Sequence, residues 1–236
     1  MLDAKTPECT LVIMAKAPRL GAVKTRLAQH FSPLAVCDLY RCLLKDTLTL
    51  ARALAGVEVV IICPAADVLD MFLFVGDEVR VVAQNGEGLA AGLSSVFAQF
   101  AAEGHRRVIA FNSDSPHLPA SVLEKAFDAL ASHDLVVGPT DDGGYYLVGA
   151  KAPHPSLFAG DGMGSTNALA ALLTRARALG LSTYLTEAFW DIDVLADLIP
   201  LAAELRAAPD KAPRTAAWLK RWGHVLDRPL TGTGDA

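Results

Sequence analysis

The sequence predicts a single-domain, three-layer α/β/α protein built on a mostly parallel sheet, and three observations carry that prediction. Short runs rich in Val and Ile alternate with longer amphipathic stretches, the pattern of strands buried on both faces between crossover helices. No internal repeat, Gly/Ser linker or long charge block divides the chain, so one domain is the economical organisation. Its 236 residues, 52% of them hydrophobic, are enough to bury a substantial core and exclude an intrinsically disordered chain.

Taken in order, the strands are Thr10–Ala15, Val57–Cys63, Val79–Ala83, Arg107–Phe111, Leu135–Gly138 and Tyr145–Gly149, each too short for a stable helix. Between the first two, Ser32-Pro33 reads as an N-cap followed by Pro at the first helical position. Val36, Leu39, Leu43, Thr47, Leu50 and Leu54 then recur at three- and four-residue steps, with Gly56 as the stop. Leu89–Ala102, Ser121–Ala131 and Ser165–Leu179 (closed by Gly180) repeat the helical pattern, and a last core helix starts near Val194. The Ala-rich stretches Leu201–Ala208 and Arg214–Trp222 read as peripheral helices, and the tail from His224 as loosely ordered.

The charge balance, 21 Lys and Arg against 26 Asp and Glu, is −5. That excludes nucleic-acid binding through a global basic surface, so a bound anion has to sit in a local cationic pocket. No run of about 20 uncharged apolar residues predicts a membrane span, and the first residues lack the apolar core of a secretory signal. The four cysteines, Cys9, Cys37, Cys42 and Cys63, fall in apolar segments without Cys-x-x-Cys spacing. They read as buried thiols of a cytoplasmic protein. No His-x-x-x-His pair predicts zinc.

In an open parallel sheet, ligands bind at the carboxyl ends of the strands, which draws attention to four segments. After the first strand, Lys16, Arg19, Lys24 and Arg26 put four cations within eleven residues, with Pro18 and Gly21 holding the backbone out of helix. Lys and Arg are the donors that phosphate oxygens need, so the segment is read as a phosphate loop; a solvated basic turn is the bland alternative. It is not a Walker A loop, since Gly21 does not adjoin Lys24. After the fourth strand, Asp114 precedes a Pro-fixed turn, where it suits Mg²⁺ or Mn²⁺, or else caps the next helix. His117 reads as a turn residue.

The third segment runs Asp141-Asp142-Gly143-Gly144-Tyr145. It is either a hairpin turn or a close backbone approach to a ligand, with Asp142 on a metal or a substrate hydroxyl. In the fourth, Asp191 and Asp193 share one face of an extended stretch. Capping of the following helix accounts for one of these carboxylates and not for both.

These blocks, in this order, resemble the DUF2064 family, also called radical-SAM/selenodomain-associated transferase 1, over roughly residues 8–205. The matching stretches are AKAPRLGAVKTRLA at Ala15–Ala28, NSDSPHLP at Asn112–Pro119, DDGGYYLVG at Asp141–Gly149 and DIDVLADL at Asp191–Leu198. The family is similar to the guanylyltransferases of coenzyme F420 assembly and, more distantly, to molybdopterin guanylyltransferases. The resemblance implies a GT-A-like nucleotide-diphospho-sugar transferase fold over 8–205; beyond it, 206–223 read as a peripheral helix and 224–236 as a loose tail.

By that resemblance Lys16, Arg19, Gly21, Lys24 and Arg26 hold nucleotide phosphates, and Asp114, Asp191 and Asp193 hold Mg²⁺ or Mn²⁺. Asp142, Gly143, Gly144 and Tyr145 face the acceptor or sugar, with Asp142 and Lys24 as the catalytic pair. Two stretches depart from the family pattern: Gln84-Asn-Gly86-Glu-Gly88-Leu89, which lacks the following Arg, and Met163–Thr166, which lacks a Trp. The expected function is metal-dependent transfer of a nucleotide-activated group. Glycosyl transfer from a nucleoside diphosphate sugar to a small acceptor leads, and nucleotidyl transfer from a nucleoside triphosphate is the alternative. A non-catalytic phosphate-binding domain is a further alternative, and phosphatase chemistry at Asp114 is weaker still.

Overall fold

The computed structural model describes residues 7–159 and 167–226. Seven strands form one sheet: β1 (Cys9–Met14), β2 (Val57–Cys63), β3 (Arg80–Ala83), β4 (Arg107–Asn112), β5 (Leu135–Pro139), β6 (Tyr145–Ala150) and β7 (Thr183–Leu185). Their spatial order is β3-β2-β1-β4-β6-β5-β7. All neighbours pair in parallel except at β6, which runs antiparallel between β4 and β5. The mostly parallel α/β architecture expected from the alternation is therefore observed.

The side-chain period of two divides the central strands between two cores. Leu11, Ile13, Ile61 and Phe111 point to one face, against α1 (Pro33–Arg52), α2 (Val68–Val75) and α4 (Ala120–Ser132). Val12, Val60, Ile62 and Ala110 point to the other, against α3 (Gly88–Ala102) and α5 (Ala168–Ala178). The cap read from the sequence is present: Ser32 Oγ accepts from the Ala35 amide at 3.2 Å, with Pro33 at the first helical position.

Two expectations are corrected at the C-terminus. Leu201–Ala208 is not a separate helix but the second half of α6 (Leu195–Ala207). Neither α6 nor α7 (Pro213–Trp222) is peripheral: Leu198, Leu201, Leu205, Trp218 and Leu219 form a third core with Val36, Leu39 and Leu43 on the outer face of α1. The buried carboxylate of Asp46 on α1 fixes this layer, accepting from the Thr215 amide at 2.8 Å and its hydroxyl at 2.9 Å. The helix expected from Ser165 starts at Ala168; Ser165, the Met163–Thr166 stretch and the tail beyond Leu226 lie outside the described residues.

Two elements were not foreseen. The run that forms α2 has no polar face to give it helical periodicity, and it leaves Leu69, Phe72 and Leu73 exposed. The edge strand β7 has only three residues, too few for any pattern to register.

Candidate active site

The carboxyl ends of β1, β2, β3 and β4 open onto a cleft of about 970 Å³. Met14–Lys16, Ala22–Arg26 and Tyr40 form one wall, Pro64–Ala66 and Gln84–Leu89 another, and Ser113, Asp114 and Asp193 the end. The loop after β1 is set by its backbone. Gly21 turns at φ +72°, and Lys24 adopts the left-handed region (φ 46°, ψ 43°), alone among described non-glycine residues. The Tyr40 hydroxyl braces the loop's start, accepting from the Lys16 amide at 3.0 Å and donating to the Lys16 carbonyl at 3.1 Å.

Within the loop the four cations part company. Lys16 and Arg26 are exposed on the cleft wall, and Gly21 supplies the turn without lining the cleft. Arg19 is corrected: it does not join the cleft. Its guanidinium binds Asp67, Asp70 at 2.6 Å and the Ala66 carbonyl at 2.7 Å. Asp67 also accepts from the Ala17 amide at 2.8 Å, so these contacts clamp the loop to the start of α2. Nearer carboxylates have claimed the arginine.

Lys24 turns inward. Its side chain is 7% exposed, and Nζ lies 2.7 Å from Asp114 Oδ2 and 2.8 Å from Asp193 Oδ1. Burial alone would depress the ammonium's pKa, but the two carboxylates hold it well above the ordinary lysine range. Asp114, Asp191 and Asp193 offer oxygens that all lie within 4.8 Å of one another. Chain ends from opposite halves of the molecule are held together here, with the Ile192 amide donating to the Asp114 carbonyl at 3.2 Å and Ser115 Oγ to the Trp190 carbonyl at 3.2 Å.

The capping alternatives fail for both cleft carboxylates. Asp197 carries the start of α6, accepting from the amides of Asp193 and Val194 at 2.7 Å each, which leaves the Asp193 side chain to Lys24 and Arg26. Pro119 sits at the N-cap of α4, and Asp114 points to Lys24. The cluster is unevenly compensated. Burial works to raise the Asp193 carboxyl, but the Lys24 ammonium keeps it below the ordinary range. Asp191 is pushed up to about 6 by burial and by the charges of Asp193 and Asp114.

Asp142, Gly143 and Gly144 sit on the β5–β6 hairpin rather than on the cleft wall. The Thr140 amide donates to the Gly144 carbonyl at 3.0 Å, and Asp142 Oδ1 accepts from the Gly144 amide at 3.0 Å. Gly143 takes φ +88°, whereas a Cβ on Gly144 would meet Thr140 Oγ1 at 2.8 Å. The hairpin alternative thus accounts for this loop's form. The Asp142 charge still reaches the cluster, adding to the upward push on Asp191. Tyr145 is half-buried against the core under α3 and α5, and burial raises its pKa.

Tyr40, Ser113 and the Gln84–Leu89 wall were not among the expected site residues. For the last, a strand end followed by Gly86 and Gly88 was the available signal. His117 is a buried residue of the turn after Asp114, 1% exposed, packed on Phe189 and Trp190 at ring distances of 4.7 and 4.3 Å.

A family model described as "uncharacterized protein conserved in bacteria (DUF2064)" matches residues 47–165. No curated protein matches the chain. Among solved structures, a protein from Desulfovibrio desulfuricans provisionally assigned as a nucleotide-diphospho-sugar transferase is 25% identical, with a TM-score of 0.87 over 93% of this chain and 96% of that one. A nucleotidyl transferase from Methanothermobacter thermautotroptrophicus is 17% identical, with a TM-score of 0.56 over 85% of this chain and 99% of that one. The CMP:2-keto-3-deoxy-manno-octonic acid synthetase complexed with CTP is 13% identical, with a TM-score of 0.54 and coverages of 85% and 99%.

Proposed function

Since the chain belongs to the DUF2064 family, we propose that it is a divalent-metal-dependent transferase of a nucleotide-activated group. The observation that carries this reading is the convergence of Asp114, Asp191 and Asp193, the first and last of which line the end of a cleft walled by Lys16, Lys24 and Arg26. Three carboxylates form an all-oxygen donor set of the kind that hard cations such as Mg²⁺ and Mn²⁺ take. These three carboxylates come within 4.8 Å of one another around a single ammonium, that of Lys24, so the residues fit such an ion. Bound there, the ion would supply charge neutralisation for phosphate oxygens.

The chain's own residues supply the rest. Lys16 and Arg26 are exposed at the cleft wall, where they attract the donor's phosphates. Met14, Ile62 and the Gln84–Leu89 wall offer a partly apolar surface for the nucleoside. Asp142, on the hairpin beyond Asp191, is the candidate for orienting an acceptor hydroxyl. Catalysis in such a site is mainly positioning and electrostatic stabilisation of a phosphate-bearing leaving group.

We read the transferred group first as a sugar from a nucleoside diphosphate sugar, following the neighbour with the highest similarity described above. Nucleotidyl transfer with release of pyrophosphate is the second reading, favoured by the nucleotidyl transferase and the CTP-bound synthetase among the neighbours. Thermal unfolding with nucleoside triphosphates and nucleoside diphosphate sugars, with and without Mg²⁺, tests the proposal. A ligand at a hundred times its Kd should add about 2.7 kcal/mol, in a metal-dependent way that Asp191→Asn removes. The class of nucleotide that stabilises separates the two readings, and no shift with any of them would sink both.

A further inference from the structure

The cation that the acid cluster already holds belongs to the protein. The Lys24 ammonium occupies oxygens of Asp114 and Asp193, two of the three carboxylates that come within 4.8 Å of one another. It gets there from a left-handed backbone, a region that side chains other than Gly, Asn and Asp rarely adopt. Lys24 opens a short 3-10 turn at Thr25–Gln29 and has no side-chain capping bond to reward that conformation. Its reward is the contact with the two carboxylates.

We propose that Lys24 is a resident counterion that competes with a divalent cation for Asp114 and Asp193 and, when displaced, becomes a phosphate donor on the cleft wall. The inference rests on the reading of the acid cluster as a metal site. A divalent ion on the cluster oxygens and an ammonium 2.7–2.8 Å from two of them repel each other, so the two cations exclude one another. Without nucleotide, the ion has to eject Lys24 into the cleft, where the other described lining residues offer one carboxylate, Glu87, in place of two. With nucleotide present, phosphate oxygens give the released ammonium a partner. Metal and nucleotide therefore bind with positive coupling, which linkage makes reciprocal. Metal binding by the nucleotide-free protein is therefore expected to be loose, because of the lysine and not because of a poor ligand set.

The test uses Mn²⁺ alone, followed by electron paramagnetic resonance on the full chain without nucleotide. Lys24→Met, which keeps the apolar stem and removes the charge, should bind Mn²⁺ at least about tenfold more tightly than the parent. It should also melt lower than the parent in chelator, with the deficit closing as Mn²⁺ is added. Lys24→Gln provides the same comparison should the Met variant fail to fold. Equal or weaker Mn²⁺ affinity in a folded variant overturns the proposal, and so does the absence of Mn²⁺ binding in every variant. Nucleotide-dependent thermal shifts are measured separately, so they distinguish a failed counterion role from a failed transferase assignment.

Discussion

Arg19 and Lys24 stand five residues apart on one loop, carry the same charge, and serve opposite sides of it. Arg19 reaches Asp67 and Asp70 at the start of α2 and fastens the loop to the scaffold. Lys24 reaches Asp114 after β4 and Asp193 before α6 and belongs to the cleft. The turn after β4 divides in the same way. Asp114 faces the cleft, while His117, three residues on, is packed between Phe189 and Trp190 with no hydrogen bond to either ring nitrogen. A charged or polar residue near a strand end is thus assigned by the partner within its reach and not by its own chemistry.

The largest effect expected from breaking this division lies on the scaffold side. Asp67→Ala leaves the Ala17 amide without its buried acceptor and Arg19 without its main anchor, which should cost about 2–3 kcal/mol. Denaturant melts should register that loss, while the Mn²⁺ affinity of the folded protein stays close to the parent's. Lost metal binding at full stability would mean that the clamp and the cleft are one unit.

The second test sharpens the division on the other turn. Burial depresses His117 from 6.5 to about 4, with Glu204 and Lys211 pulling in opposite directions. The unfolded chain therefore takes up a proton below 6.5 that the folded chain refuses until about 4. Stability is full above pH 6.5 and falls as the pH drops through that window, by about 2 kcal/mol at pH 5. His117→Leu should flatten the melting temperature between pH 7 and 5. An unchanged slope would mean that the acid sensitivity lies elsewhere.

The smallest effect belongs to Arg26, whose side chain is 71% exposed and 3.3 Å from Asp193. Arg26→Ala should leave the melting temperature nearly unchanged and weaken nucleotide binding by about threefold to tenfold, less at high salt. Affinity measured at two ionic strengths checks this. A fall of several degrees in melting temperature would move Arg26 to the scaffold side.

What could be read from the sequence follows the range of the interactions involved. Five of the six expected strands appear within one residue of the expected bounds and the sixth, Val57–Cys63, coincides with β2, because local periodicity marks them; the main helices follow within one to three residues. The approach of Asp114 to Asp191 and Asp193 was legible from different signals: a strand end for Asp114, and two-residue spacing with the family resemblance for the other two. The destination of Arg19 was not, since Asp67 and Asp70 lie at the N-cap and in the first turn of α2, a helix without a polar stripe. A cap on α6 from Asp193 was one of two readings, and Asp197 takes that cap by reaching back to the Asp193 and Val194 amides. The outer layer of α6 and α7 depends on Asp46, which is buried by helices that come more than 140 residues later.

Lys24 and Asp193 are 2.8 Å apart in space and 169 residues apart in the chain. At about 5–20 residues per second of synthesis, roughly 8–34 seconds separate their appearance on the ribosome. Throughout most of that time the nascent chain carries a basic loop with no acid cluster to receive its lysine, and for the later part Asp114 stands alone. Any product of interrupted translation that ends before Asp191 lacks two of the three carboxylates. Such a fragment carries the basic loop without Asp191 and Asp193, so on the proposed reading it would attract anions and have no acid cluster beside them.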